Sequence, residues 1–482
     1  MNKGFLVALS IGIASVLVAG GILLFVFLTK NRGSGTMPYE YINDQSQTYI
    51  HFDSGTNLED IVKNYLPLIT SRLGEEMELV QPMLKTIPDL SFLKLSGFVA
   101  QNKGEATSDE IAISDSVILG LELSHRTNSE NGLRELLDYV KLYGFEVNKD
   151  TDGFFTIEKD LLTNAVAYLD YDYLLISNSK ENIKNALQIK TGTNITKSGD
   201  WSEIKEMLQT REFAFYANMP FEKTSIKLTA SSYNQDKEIG LVLKNIGSLK
   251  KMIEPLEKEQ KDTFEILLKS QKDLGNELAK LPQGKLAVAA FSAGLSAVKN
   301  ETYGNLKTWI DEGTTIAWMD MDKDQKTTFA LQSSSSDGLL QFIESIFPSS
   351  SYAKKTENSH TVVNQQMMGE DGIMYSVPEP TAYYTIQGDT LTLASTTDGL
   401  TQFKAEGTKT VSTEPAFLYV NFDYGKIISL IPATESYANF FVEMLKQANI
   451  NVGLKAFEKE DRLYLKLFVT GDFDKLIMSK PE

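Results

Sequence analysis

Residues Phe5 to Leu28 read FLVALSIGIASVLVAGGILLFVFL, twenty-four in a row without a charge. As a helix rising about 1.5 Å per residue, the run is roughly 36 Å long, enough to cross a hydrocarbon layer about 30 Å thick. A cleaved signal peptide carries only about 7–15 apolar residues before a small-residue cleavage site. Here the apolar run continues from Ile22 to Leu28 beyond the small Ala19-Gly20-Gly21 patch, so it reads as an uncleaved anchor. Lipid attachment to a cysteine is excluded, because the chain has none. Ala8, Gly12, Ser15 and Ala19 fall on one helix face, where small residues let two membrane helices approach closely. Small residues are also ordinary in any membrane helix, so a pairing role stays open beside that reading.

The charges flanking the run nearly tie, with Lys3 on one side and Lys30 and Arg32 on the other. All 64 acidic residues follow the run, and long domains cross a membrane largely regardless of charge. The expected arrangement is a single-pass protein of the cell membrane, N-terminus cytoplasmic and C-terminal body extracytoplasmic. Gly33 to Pro38 then reads as a flexible spacer. A net charge of -17 argues against nucleic acid, which is bound by lysine and arginine releasing counterions. Without cysteine there is no disulfide framework, cysteine-ligated metal or thiol nucleophile.

Beyond the spacer, short matched stretches recur. Asn131 to Val140 aligns with Asp337 to Ile346, both with apolar residues at helical spacing, and each follows a strand-like run. Leu174 to Ile183 aligns with Leu391 to Leu400, each a strand, a Ser/Thr-rich cap and a short helix. Phe215-Tyr-Ala-Asn218 echoes Leu418-Tyr-Val-Asn421, and the hairpin pattern at 226–243 has a counterpart at 452–469. Runs such as Ile316 to Met321 and Lys326 to Leu331 alternate with period 2 across polar turns, which predicts antiparallel hairpins.

The expected fold class is therefore α+β: an N-terminal transmembrane helix followed by two related antiparallel-sheet-plus-helix halves, an internal duplication. The expected boundaries are residues 1–32 for tip and anchor, 33–48 for a linker, 49–247 for the first half, 248–283 for a long helical connector and 284–482 for the second half. Thr56-Asn-Leu-Glu59 reads as a capping box opening an amphipathic helix through Leu73, and 427–448 reads as another. The connector carries an apolar stripe (Leu249, Met252, Leu256, Phe264, Leu267), suited to packing on its own domain or to a partner.

Catalytic signatures are sparse. His51, His125 and His360 are isolated, and there is no HExxH, phosphate-binding loop, dinucleotide fingerprint or GxSxG elbow, so no cofactor is expected. Asp320, Asp322 and Asp324 alternate like the start of a calcium loop. The sixth position is Gln325 instead of glycine, however, and the twelfth is Leu331 instead of glutamate. The competing reading is a solvated strand edge. Tyr168, Tyr171, Tyr173, Tyr383 and Tyr384 lie beside matched strands, as a ligand-binding aromatic surface or as ordinary strand residues. Met367-Met368 suggests soft-metal ligation or, without cysteine or a paired histidine, packing.

Four stretches, Tyr49-Ile-His-Phe-Asp53, Leu281-Pro-Gln-Gly-Lys285, Gly388 to Ser395 and Phe417 to Asn421, resemble an uncharacterised bacterial membrane-anchored family, domain of unknown function thirty-three fifty-two. The likeness covers most of residues 40–480. It implies an exported, membrane-tethered protein of unknown activity and supplies no catalytic residues. Two function classes follow. The first is a non-enzymatic binding or scaffold module of the bacterial envelope, attached to the membrane through residues 5–28 and meeting a protein or envelope component. The second is an envelope hydrolase using carboxylates such as Asp170, Asp172 or Glu370 in a cleft between the halves. A carrier of a hydrophobic ligand is a third reading, and requires a large apolar cavity.

Overall fold

The computed structural model describes residues 38–57, 90–102, 116–274, 286–401, 415–426 and 449–472, apart from short breaks within them. The proposed anchor, with Ala8, Gly12, Ser15 and Ala19, lies outside the described residues, as do the helix-periodic stretches at 58–73 and 427–448. Among the described residues no helix is long and apolar enough to cross a membrane. Thr56 and Asn57, read from the sequence as a helix cap, are the last residues of a strand.

The chain divides into two compact units, one ending at Ser248 and the other running from Leu249, with Asn234–Gly240 assigned to the second. In chain order the first carries β1 (Thr48–Asn57), β2 (Leu93–Asn102), β3 (Ser116–Leu123), helix α1 (Arg126–Lys141), β4 (Glu146–Lys149) and β5 (Phe155–Lys159). Then follow β6 (Thr163–Asp170), β7 (Tyr173–Ser177), α2 (Lys180–Thr191), α3 (Trp201–Leu208), β8 (Phe213–Phe221), β9 (Thr224–Gln235) and β10 (Glu238–Asn245). They pair in the order β4-β5-β6-β7-β3-β2-β1-β8-β9-β10.

Strand alternation sets which side chains share a face. One face places Phe98, Ile118, Leu175 and Tyr216 against Ile183 and Ala186 of α2 and Ile204 and Leu208 of α3. The other places Leu93, Leu123, Phe155 and Leu174 against Leu133 and Leu137 of α1. Burying each such side chain stabilises by about 1.5–3 kcal/mol before the entropy cost of ordering it. Helix α2 begins where Ser179 Oγ accepts the amide of Asn182 at 3.2 Å.

The second unit opens with two short helices, α4 (Leu249–Ile253) and α5 (Lys258–Lys269). The long or kinked helix expected over 248–280 is interrupted here because the sequence places Pro255 inside it, where proline lacks a donor and crowds the preceding turn. Leu249 and Ile253 are buried, and Phe264 meets Phe417 edge-on at 6.0 Å, so the apolar stripe packs on its own unit. The strands are β11 (Ala287–Phe291), β12 (Gly294–Asn300), β13 (Gly304–Ile310), β14 (Thr315–Met321) and β15 (Thr327–Ser333). After α6 (Leu339–Ile346) come β16 (Tyr352–Glu357), β17 (His360–Met368), β18 (Met374–Ser376), β19 (Ala382–Gln387), β20 (Thr390–Ala394), β21 (Leu418–Asp423), β22 (Asn451–Lys459) and β23 (Arg462–Thr470). Their pairing order is β16-β17-β19-β20-β15-β14-β11-β21-β22-β23, with β18 attached to β17.

The expected class is corrected by this pairing. Twenty-one strands belong to one large antiparallel sheet and β12 with β13 form a separate ribbon, so the protein is not an α+β fold of two sheet-plus-helix halves. The physical reason is that backbone donors and acceptors are satisfied strand to strand, while the helices serve only as local covers. The longest described α-helix has 16 residues. The order of strand pairing recurs between the units, and α6 follows β15 as α1 follows β3. At the place of the 12-residue α2, the described residues of the second unit include a 3-10 turn at Asp398–Thr401.

Candidate functional site

A row of polar side chains crosses the α2-covered face of the first unit. Register places Asp170 of β6 opposite Tyr173 of β7, Tyr173 opposite Glu122 of β3, and Ser96 of β2 opposite Asp53 of β1. All five are buried, as is His51, two residues before Asp53 on the same face. Asp170 Oδ2 accepts the Tyr41 hydroxyl at 2.5 Å and the Lys190 ammonium at 2.9 Å. Lys190 also donates to Tyr41 Oη at 3.0 Å and lies 4.7 Å from that ring's centroid. Glu122 accepts Ser96 Oγ at 2.7 Å and is ion-paired with Lys94.

This arrangement is held together by charge pairing and leaves little for acid–base chemistry. Burial, and then the hydrogen bond to Asp170, push the Tyr41 phenol far above its ordinary value. Burial, and then the charge of Glu122, do the same to Tyr173. The His51 imidazole is lowered to about 4 by burial, which outweighs the opposing pull of Asp53. Asp170, named from the sequence as a hydrolytic carboxylate, is thus committed to Lys190 and Tyr41. Asp172 is exposed on a turn, and Glu370 lies outside the described residues.

The five tyrosines differ in setting. Tyr168 stacks on Phe154 at 4.5 Å and Tyr173 is buried. Tyr171 alone is well exposed, at a turn where its backbone adopts φ 47. In the other unit, Tyr383 meets His360 edge-on at 5.8 Å while Tyr384 packs against the cluster around Val363 and Leu391. Asp320 is ion-paired with Lys426, and Asp322 and Asp324 lie outside the described residues. Among the described residues no group of three or more His, Cys, Asp or Glu is placed to hold a metal ion.

A surface that sequence reasoning assigned to packing stands out instead. Strand β17 pairs with β16 only as far as Gln365, and its last three residues run on to form a hairpin with β18. Met367 faces Tyr375 across the ladder, Met368 faces Met374, and the Gly369 amide donates to Ile373 O at 2.8 Å. Met367 is 60% exposed, Met368 72%, Ile373 56%, Met374 41% and Tyr375 52%. The cause is local. Apolar residues occupy consecutive positions instead of alternate ones, so both faces of the hairpin are apolar and a single underlying layer cannot cover them. An apolar pair followed directly by the polar residues Gly369-Glu370-Asp371-Gly372 was the available sequence signal.

No protein-family model matches this chain, and no curated protein does. Three crystal forms of TP0453 align with it. Form IV covers 47% of this chain and 87% of that chain at 11% identity, with a TM-score of 0.25. Form III covers 58% and 94% at 11% identity, and form I covers 58% and 93% at 10%, both with a TM-score of 0.26. Likenesses this slight carry no argument about fold or function.

Proposed function

We propose that this chain is a non-enzymatic binding module, tethered to a bacterial cell membrane through residues 5–28 with its body on the extracytoplasmic side. Its contact surface is the hairpin of β17 and β18, which meets a protein or envelope component. The observation that carries this reading is the five large apolar side chains exposed together at residues 367–375. Exposed apolar groups gathered in one place mark interaction surfaces, and flexible methionines suit them to irregular partners. The uncharged run at 5–28 supports the tether, and the pairing of Asp170 and Glu122 with lysines weighs against the carboxylate hydrolase.

Two measurements test it. A photoreactive phenylalanine derivative replacing Tyr375 in intact membranes is expected to give a discrete crosslinked adduct, while the same group at Gln387, the exposed last residue of β19, gives none. Equal labelling at both positions would remove the hairpin from the proposal. The absence of native cysteine makes topology equally direct. With Gln387→Cys, a membrane-impermeant maleimide is expected to label whole cells, and labelling only after lysis would place the body inside.

A further inference from the structure

We propose that Met367, Met368 and Met374 form an oxidation site whose conversion to sulfoxide switches the hairpin from apolar to polar. Methionine reacts with two-electron oxidants in proportion to the access its sulfur allows. Among the described methionines, Met368 at 72% and Met367 at 60% are well exposed and Met374 is 41% exposed, whereas Met207 is 8% exposed with its sulfur 3.7 Å from Ser231 Oγ. Met219 is 44% exposed but stands alone on β8. The chain has no cysteine to intercept the oxidant, so thioethers are its softest nucleophiles.

The oxidant is a hydroperoxide. A sulfur lone pair takes its terminal oxygen, the O–O bond breaks, and with hydrogen peroxide the remaining oxygen leaves as water after proton transfer. Sulfur is oxidised by two electrons and the peroxide is reduced by two. Because Met367 and Met368 are consecutive on β17, their side chains lie on opposite faces, and oxidation places a strong dipole on each. An apolar partner surface would then have to desolvate two sulfoxide oxygens without offering donors. The site stands on exposure alone; its effect on docking rests on the binding function proposed above.

The test treats the full chain in membranes with dilute hydrogen peroxide and maps oxidation by peptide mass spectrometry. Met368 and Met367 are expected to oxidise about tenfold or more faster than Met207. Peroxide is expected to abolish the Tyr375-position adduct in the wild type but not in a Met367→Leu, Met368→Leu, Met374→Leu variant, which keeps the surface apolar and cannot be oxidised there. Met207 keeping pace with Met368, or an oxidised wild type retaining its adduct, overturns the proposal. An unoxidised chain that gives no adduct refutes the binding function instead, and the order of oxidation then decides the site by itself.

Discussion

Lys190→Met isolates the charge pairing that holds the polar row of the first unit. The substitution keeps the length and apolar stem of the side chain while leaving the buried Asp170 carboxylate with the Tyr41 hydroxyl as its remaining named donor. Removing one partner of a fully buried ion pair costs about 3–5 kcal/mol, against about 0–1 for an exposed pair. Here the Asp170 side chain is 9% exposed and that of Lys190 23%, so the value lies between, at about 2 kcal/mol. Losing the cation over the Tyr41 ring adds about 0.5 kcal/mol. The total of about 2–3 kcal/mol corresponds to roughly 30- to 150-fold faster amide exchange by local opening. Hydrogen exchange of β6, β7 and α2 is the suitable assay, because a chain of two units gives no single unfolding free energy. Adding Asp170→Asn should restore most of the protection, since it removes the stranded charge. Exchange changed less than about threefold by Lys190→Met, or no recovery in the double variant, would refute the reasoning.

His51, lowered to about 4 from 6.5, binds a proton more readily in the unfolded chain, so stability is full above about pH 7 and is lost as pH falls through 6.5 towards 4. The loss should reach about 2 kcal/mol by pH 5, and His51→Phe should abolish it, read as the protection of β1 and β2 against hydrogen exchange at about pH 7 and pH 5 after correction for the intrinsic exchange rate. Gly120→Ala would set a Cβ 2.0 Å from Cε1 of the fully buried Phe98, itself stacked on Tyr41 at 4.9 Å. A cost of about 1–3 kcal/mol is expected, read as increased exchange in β2 and β3, and wild-type protection would show that the ring moves freely. A chain beginning after Arg32 should be soluble and keep the circular dichroism of the strand-rich body; an aggregating product would count against a single apolar anchor.

The local half of this fold was legible because it rests on neighbours in sequence. Period-2 alternation into polar turns located β14 with β15 and β22 with β23. The helical connector, read as long or kinked, is helical over Leu249–Ile253 and Lys258–Lys269, and Pro255 marks the interruption. Met367 and Met368 were misplaced because apolar character does not reveal whether a covering layer exists. The union of Asp170 with Lys190 and Tyr41 spans 20 and 129 residues, and no local pattern announces it.

Residue order alone therefore determined the uncharged run at 5–28, the acidic, cysteine-free character of the body and the positions of its hairpins, all properties of adjacent residues. Tertiary structure decided that β1 lies between β2 and β8 and β11 between β14 and β21. It also decided which carboxylates receive lysines and which apolar side chains remain in water. Those outcomes depend on long-range pairing, in which each strand takes the edge that satisfies its backbone and buries its apolar face, a choice made by the whole chain at once.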